Sequence, residues 1–174
     1  QSNVILDQLD RQTGNFHSIS QFSSGIESQL TALENFRWEN GDLGALAQTL
    51  QAGTTTADAW LRHIDSALNE VGEEQYLLAQ AVRTTYGNYD ALMEQMQTLL
   101  AAGNATDAAA LYYSEVAVCG GYLQQYTSQL LQTAISEGQS TYTRLSALNR
   151  RLKVVQAVTS LLCVVLGALV VHTV

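Results

Sequence analysis

The side chains best suited to a binding role in this 174-residue chain are its eight tyrosines, which outnumber its three phenylalanines and two tryptophans and all lie at residue 76 or beyond. Tyrosine combines an apolar ring with a hydroxyl, so a helix seam rich in it can hold a polar ligand or pack against a partner helix. The alternative is that the rings fill a core while the hydroxyls reach solvent. Arg83 lies close to Tyr86 in a region poor in basic residues. We predict these two as ligand-binding residues, with Arg83 pairing an anionic group.

Catalytic and metal-binding patterns are missing from the sequence. Its three histidines, His17, His63 and His172, lie far apart, and no C-x-x-C, H-E-x-x-H or glycine-rich phosphate loop occurs. Cys119 and Cys163 are 44 residues apart, which along one helix is far beyond disulfide reach. We therefore expect no catalytic residue, metal site or cofactor in this chain.

Charge is distributed unevenly along the sequence. Residues 1–140 contain all 16 acidic residues and four of the eight basic ones, for a net charge of −12, whereas the remaining 34 residues carry +4. Phosphate backbones are bound by basic surfaces, so most of this chain would be repelled by nucleic acid. The 14% charged and 47% apolar content also argue against a disordered chain, and the absence of proline argues against a fold that relies on many proline-bearing turns.

An uncharged apolar run of 18 residues extends from Val154 to Val171, close to the minimum length for a membrane-spanning helix. We predict that residues 154–174 begin a transmembrane helix and that residues 1–153 form a separate domain. A basic cluster, RLSALNRRLKVV, precedes the run and could contact lipid headgroups. Such a cluster favours a cytoplasmic location for residues 1–153.

The preceding residues repeat apolar positions at helical spacing. A first helix is expected from about residue 3 to 38, and Asp42 is a suitable N-cap for a short helix that ends at Gly53. Thr55 would cap the next helix. Another begins near Glu73 and ends at Ala102–Gly103. The last, capped by Asn104 and Asp107, could run without interruption from about residue 105 to 171, roughly 100 Å.

Amphipathic helices of this kind must bury their apolar stripes against one another. Short connections make sequential neighbours antiparallel, so we predict an all-α fold, an up-down-up-down four-helix bundle whose last helix continues into the membrane. The first residues, Gln1-Ser2-Asn3, resemble the remnant of a cleaved tag. An earlier membrane helix could therefore precede them in the natural protein.

The stretches MEQMQTLLAAGNATDAAALYYSEV and GGYLQQYTSQLLQTAISEGQSTYTRLSALNRRLKVVQ resemble the extracytoplasmic sensor regions of bacterial membrane-bound sensor histidine kinases. As a residue pattern the resemblance covers about residues 90–155, and it transfers no ligand residue. It implies a four-helix sensor domain, similar in plan to chemoreceptor sensors, that lies outside the cytoplasm and forms a homodimer through its first and last helices. The kinase modules themselves would belong to the parent protein.

Two functions follow as hypotheses. The first is an input domain that senses a small molecule or a protein and signals by displacing its last helix, as packed helices can do. The second is a tail-anchored cytoplasmic scaffold or adaptor, which accounts directly for the basic cluster. A further apolar segment before residue 4 and signalling modules after residue 174 would favour the first.

Overall fold

The computed structural model describes residues 2–67, 73–136, 138–140, 142–143 and 146, with side chains described from residue 13 to 64 and from residue 75 onward within these ranges. All regular structure in this part of the chain is helical. Helix α1 spans Ser2–Glu34, α2 spans Leu43–Ala67 and α3 spans Glu73–Ala101. Helix α4 (Ala105–Leu111) passes into a π-helical turn at Tyr112–Val116, after which α-helix, here called α5, resumes at residues 117–136. The all-α class is confirmed.

The predicted helix caps are confirmed at two places. Asp42 Oδ1 accepts hydrogen bonds from the backbone N–H groups of Gly44 and Ala45 at 2.9 and 3.0 Å, and α2 begins at the next residue, Leu43. Asn104 Oδ1 accepts from the N–H of Asp107 at 3.2 Å and caps α4. Both side chains satisfy N–H groups that the first turn of a helix leaves without backbone partners.

The prediction that Gly53 ends a helix is wrong, because α2 continues through it to Ala67. Gly53 is buried, and a Cβ placed there would meet the Gln29 side chain and lie 3.0 Å from the carbonyl oxygen of Gly25. The glycine therefore allows α1 and α2 to approach closely. Thr55 is not a cap either, since its hydroxyl donates to the Gln51 carbonyl within the helix at 2.9 Å.

Helix α1 ends at Glu34, four residues before the predicted position. The next residues turn so that the rings of Phe36 and Trp38, with centroids 5.1 Å apart, pack against the core. Trp38 also lies 6.2 Å from the ring of Tyr112. This packing requires the chain to leave the helix before Phe36.

The core is built from buried residues that repeat mainly at spacings of three and four, as in coiled coils. In α3 this buried seam comprises Gln75, Ala79, Val82, Tyr86, Tyr89, Met93, Met96 and Leu100. From α4 to α5 the buried positions are Ala108, Tyr112, Val116, Gly120, Leu123, Thr127 and Leu130. Three successive spacings of four span the π-turn, which adds one residue to its turn of helix.

Residues late in α1 contact residues early in α2, and residues earlier in α1 contact residues later in α2. Gln29 bonds to Leu50 and Thr54, whereas His17, nearer the start of α1, meets the ring of Trp60 at 4.9 Å. Further along the chain, Gly120 lies against Leu30. These contacts belong to the first of two compact units, residues 1–135.

The second compact unit comprises residues 136–174. Its described residues are helical, and the hydroxyl of Thr143 donates to the Gln139 carbonyl at 2.9 Å. Over the described part of the chain, no helix combines the length and apolar character that a bilayer crossing requires. The predicted span at residues 154–171 lies outside the described residues.

Candidate functional site

An open groove of about 470 Å³ lies between α3 and the segment that contains the π-turn and the start of α5. Its α3 wall uses positions spaced by three and four residues, which fall on one face of a helix. The opposite wall combines polar side chains of the π-turn with apolar and aromatic side chains of α5. The residues that line the groove are Thr85, Asn88, Leu92, Ser114, Glu115, Val118, Cys119, Tyr122 and Tyr126.

The π-turn shapes one wall of this groove. The Ala117 N–H donates to the Tyr112 carbonyl five residues earlier, which is the hydrogen bond that defines a π-helix. Val116 and Tyr112 remain buried on the inner side of the turn, whereas Ser114 and Glu115 are exposed and line the groove. Turns of this type occur often at functional sites.

Cys119 is a half-buried lining residue of the groove. Its Sγ lies 3.8 Å from the Thr85 carbonyl oxygen across the helix interface, and burial raises the pKa of the thiol. A raised pKa keeps the thiol protonated at neutral pH, and the protonated form is a poor nucleophile and metal ligand. Cys119 therefore contributes packing to the groove wall, and its S–H is a weak donor to the Thr85 carbonyl.

Tyr89 lies in the core between the groove-forming helices and has no exposed surface. Its hydroxyl has no hydrogen-bond partner among the described residues, and neither has the indole N–H of Trp38. Burial is the main reason why the pKa of Tyr89 is raised, and nearby Cys119 and Tyr112 add to the effect. The phenol thus stays neutral, because its ionised form would lack solvation.

The two predicted ligand-binding residues lie outside the groove lining, although both are on α3. Arg83 is exposed, whereas Tyr86 is buried with its ring 5.2 Å from that of Phe22. The Tyr86 hydroxyl donates to Asp58 Oδ1 on α2 at 2.6 Å. Burial, together with this carboxylate, raises the pKa of Tyr86. A binding role for Arg83 and Tyr86 stays a prediction.

The tyrosine enrichment is visible in the sequence, whereas Glu115, Val118 and the groove that they line were not predicted from it. Val118 and Tyr122 are each 55% exposed, although both are large and apolar or aromatic. They are four residues apart and lie outside the buried seam, so they form a second apolar strip on the same helix. That second strip was the available signal in the sequence.

The charged residues in the sequence around the groove are acidic. Between Arg83 and Arg144 the sequence contains five acidic residues and no lysine, arginine or histidine. Within the groove lining, Glu115 supplies a carboxylate and the other residues are neutral or, as for Cys119, held protonated. The groove is therefore equipped to attract positive charge.

The groove lining offers surfaces for binding. In the described part of the chain, no three His, Cys, Asp or Glu side chains are grouped closely enough to hold a metal ion. An apolar wall with a few polar groups is typical of a binding site. Comparisons with protein-family models, curated proteins and solved structures found no match to this chain.

Proposed function

We propose that residues 1–153 are the sensory input domain of a transmembrane signalling receptor of the sensor histidine kinase type, with residues 154–174 beginning a membrane helix. The observation that carries this proposal is the π-turn at Tyr112–Val116, which borders the open groove. The same run of chain leads in sequence towards the apolar segment at 154–171. One wall of the groove, the π-turn and the candidate membrane helix thus follow one another in the sequence.

The π-turn offers a physical basis for signalling. A π-turn contains one residue more than an α-helical turn. Conversion of the π-turn to α geometry would therefore shift the helix that follows it along its axis by about 1.5 Å and rotate it. A ligand in the groove would touch Ser114 and Glu115 on the turn itself. It shifts the equilibrium only to the extent that it binds one geometry more tightly than the other.

The finer architecture that we propose is an antiparallel four-helix bundle. Support comes from the buried seams with coiled-coil spacing and from the opposite order of the contacts between α1 and α2. A homodimer with the first and last helices at its interface follows from the resemblance to sensor kinases. In this proposal residues 1–153 lie outside the cytoplasm and the kinase modules follow residue 174.

The proposal can be tested by cysteine scanning of positions 145–152 in a bacterial host, with Cys119 and Cys163 replaced by alanine. We expect intersubunit disulfides in the membrane fraction, strongest at Leu145, Leu148 and Leu152, which repeat at spacings of three and four in the sequence. Val118→Trp would imitate an occupied groove and is expected to change the relative yields along the scan. Tyr76→Trp, at an exposed α3 position outside the groove lining, is the matched control and should not.

Two results would contradict the sensor proposal. One is recovery of the chain in the soluble fraction, and the other is a disulfide pattern that Val118→Trp leaves identical to that of the control. A chemoreceptor sensor domain shares the same plan, and the module encoded after residue 174 would distinguish it from a kinase.

The basic cluster before the apolar run favours a second candidate, a tail-anchored scaffold or adaptor with residues 1–153 in the cytoplasm. Protease added outside spheroplasts separates the two candidates. Digestion of residues 1–153 supports the sensor, whereas their protection in intact spheroplasts and digestion after lysis supports the adaptor.

A further inference from the structure

We infer that the groove between α3 and the segment of the π-turn and α5 binds a small organic cation, attracted by the Glu115 carboxylate and held against the rings of Tyr122 and Tyr126, all of which line the groove. This inference deepens the proposed function, on which it rests, by giving a chemical class to the stimulus. It concerns direct binding, which can be measured separately from any movement of the last helix.

Charge complementarity selects a cation. Glu115 is exposed and lines the groove, and no lining residue is basic. The α3 and α5 walls belong to the stretch between Arg83 and Arg144, which contains only acidic ionisable charges. An anionic ligand would meet repulsion there with no pairing group, whereas an ammonium group would form a charge-assisted contact with Glu115.

The aromatic and apolar walls favour an organic cation over a metal ion. Tyr122 is 55% exposed and Tyr126 half-buried, and they are four residues apart on one face of α5. The faces of such rings attract ammonium groups, and several rings together form the usual recognition site for quaternary ammonium. Leu92 and Val118 add apolar surface that would be covered by alkyl groups of the ligand.

Size and polarity narrow the ligand further. A groove of about 470 Å³ falls within the range of about 300–1,000 Å³ that small-molecule sites occupy. Thr85, Asn88 and Ser114 contribute neutral hydrogen-bonding groups. A ligand with an ammonium group at one end and a hydroxyl or amide at the other would satisfy both kinds of lining.

The test uses the full 174-residue chain in maltoside detergent and isothermal titration with three probes of nearly equal shape. These are choline, its uncharged carbon isostere 3,3-dimethylbutan-1-ol, and the anion 3,3-dimethylbutanoate. We expect choline to bind about two- to fivefold more tightly than the neutral isostere, in line with cation–π attraction at an exposed site, and the anion not to bind. Equal affinity for choline and the isostere would overturn the inference. So would the absence of choline binding at about 10 mM.

Variants locate the binding site. Glu115→Gln should reduce the preference for choline over its isostere by removing the carboxylate, and Tyr122→Ala should weaken choline binding by about two- to fivefold. Glu94→Gln and Tyr76→Ala, which change an exposed acid and an exposed tyrosine outside the groove lining, are the matched controls and should bind as the parent chain does. Equal losses in the variants and their controls would contradict the assignment to the groove.

Failure of this inference can be distinguished from failure of the proposed function. If Val118→Trp changes the disulfide pattern at 145–152 while choline does not bind, the ligand class is wrong and the sensor proposal stands. If choline binds with the expected variant effects while that pattern never changes, the ligand class stands and signalling by helix displacement is wrong.

Discussion

The α1–α2 interface and the α3–α5 interface are built from the same helical repeat, but the first is closely packed at glycines and the second has an open groove along its edge. At the first, a Cβ placed on Gly25 would lie 3.0 Å from the Gly53 carbonyl oxygen. Gln29 Nε2 also donates across that interface to the Leu50 carbonyl and to Thr54 Oγ1, each at 2.8 Å. At the second, an open groove lined in part by Tyr122 and Tyr126 lies along the outer edge of the two helices.

This difference shows how residue size divides structural roles within one domain. Small residues at Gly25 and Gly53 let backbones touch and leave no room for a ligand, so that interface serves to hold two helices together. Larger side chains such as Tyr122 and Tyr126 line an open groove at the edge of the α3–α5 interface and leave surface for recognition. Substitutions at the two interfaces should therefore differ in how much they change the free energy of unfolding.

The largest effect is expected at the close contact. Gly53→Ala should destabilise the fold by about 2 kcal/mol, because the new methyl group would overlap the Gln29 side chain and approach the Gly25 carbonyl. Urea unfolding followed by circular dichroism measures the change. Gly87→Ala is the control: nothing lies within 4 Å of its added Cβ, so it should stabilise α3 by about 0.5–1 kcal/mol. Equal effects of the two variants would refute the close-packing role of Gly53.

Alkaline pH should weaken the α3–α5 side through Tyr89. Burial raises its pKa above the ordinary value near 10, so above pH 10 the unfolded chain loses this proton while the folded chain keeps it. Stability contributed by the neutral phenol is complete below pH 10 and falls above it by up to about 1.4 kcal/mol per pH unit. Tyr89→Phe should flatten the decline between pH 10 and 11. An unchanged slope would mean that Tyr89 titrates normally.

A smaller effect is expected at Tyr86, which faces α1 and α2. Tyr86→Phe removes the hydrogen bond to Asp58 and should cost about 1 kcal/mol near pH 7. Tyr89→Phe serves as the comparison, because deleting a hydroxyl without a partner among the described residues should be neutral or slightly stabilising. A double-mutant cycle of Tyr86→Phe with Asp58→Asn measures the pair directly. Additive losses would show that the two groups do not interact in solution.

The smallest effect is expected on the groove wall. Tyr122→Ala should change the free energy of unfolding by less than about 0.5 kcal/mol, because more than half of this side chain is already in water. Thermal unfolding of the variant beside the parent chain gives the comparison. A loss as large as that of Gly53→Ala would mean that Tyr122 belongs to the core, and the groove would then not be free for a ligand.

Helix ends could be predicted because they depend on neighbouring residues. Asp42 and Asn104 cap helices through hydrogen bonds that reach only two or three residues along the chain. Gly103 ends the α3 region with a φ of 71°, a conformation that glycine adopts without a Cβ clash. Each of these features needs no information about the rest of the fold.

The groove could not be predicted in this way, because its walls come from segments that the chain separates. Leu92 on α3 and Glu115 on the π-turn line it together, and nothing in either local pattern specifies the other. The π-turn was also missed. It alters the register of buried positions between Tyr112 and Gly120 by one residue, and only packing against the other helices distinguishes that register from a continuous α-helix.

The amino-acid sequence by itself determined that this chain is helical and where most of its helices begin and end, because periodicity and capping act over a few residues. Only the tertiary structure decided that Gly53 is a contact point within a helix and that Tyr86 donates to Asp58. It likewise decided that Glu115 and Tyr122 share a groove. The physical reason is that these roles depend on which atoms lie across an interface, and those atoms are distant in the sequence.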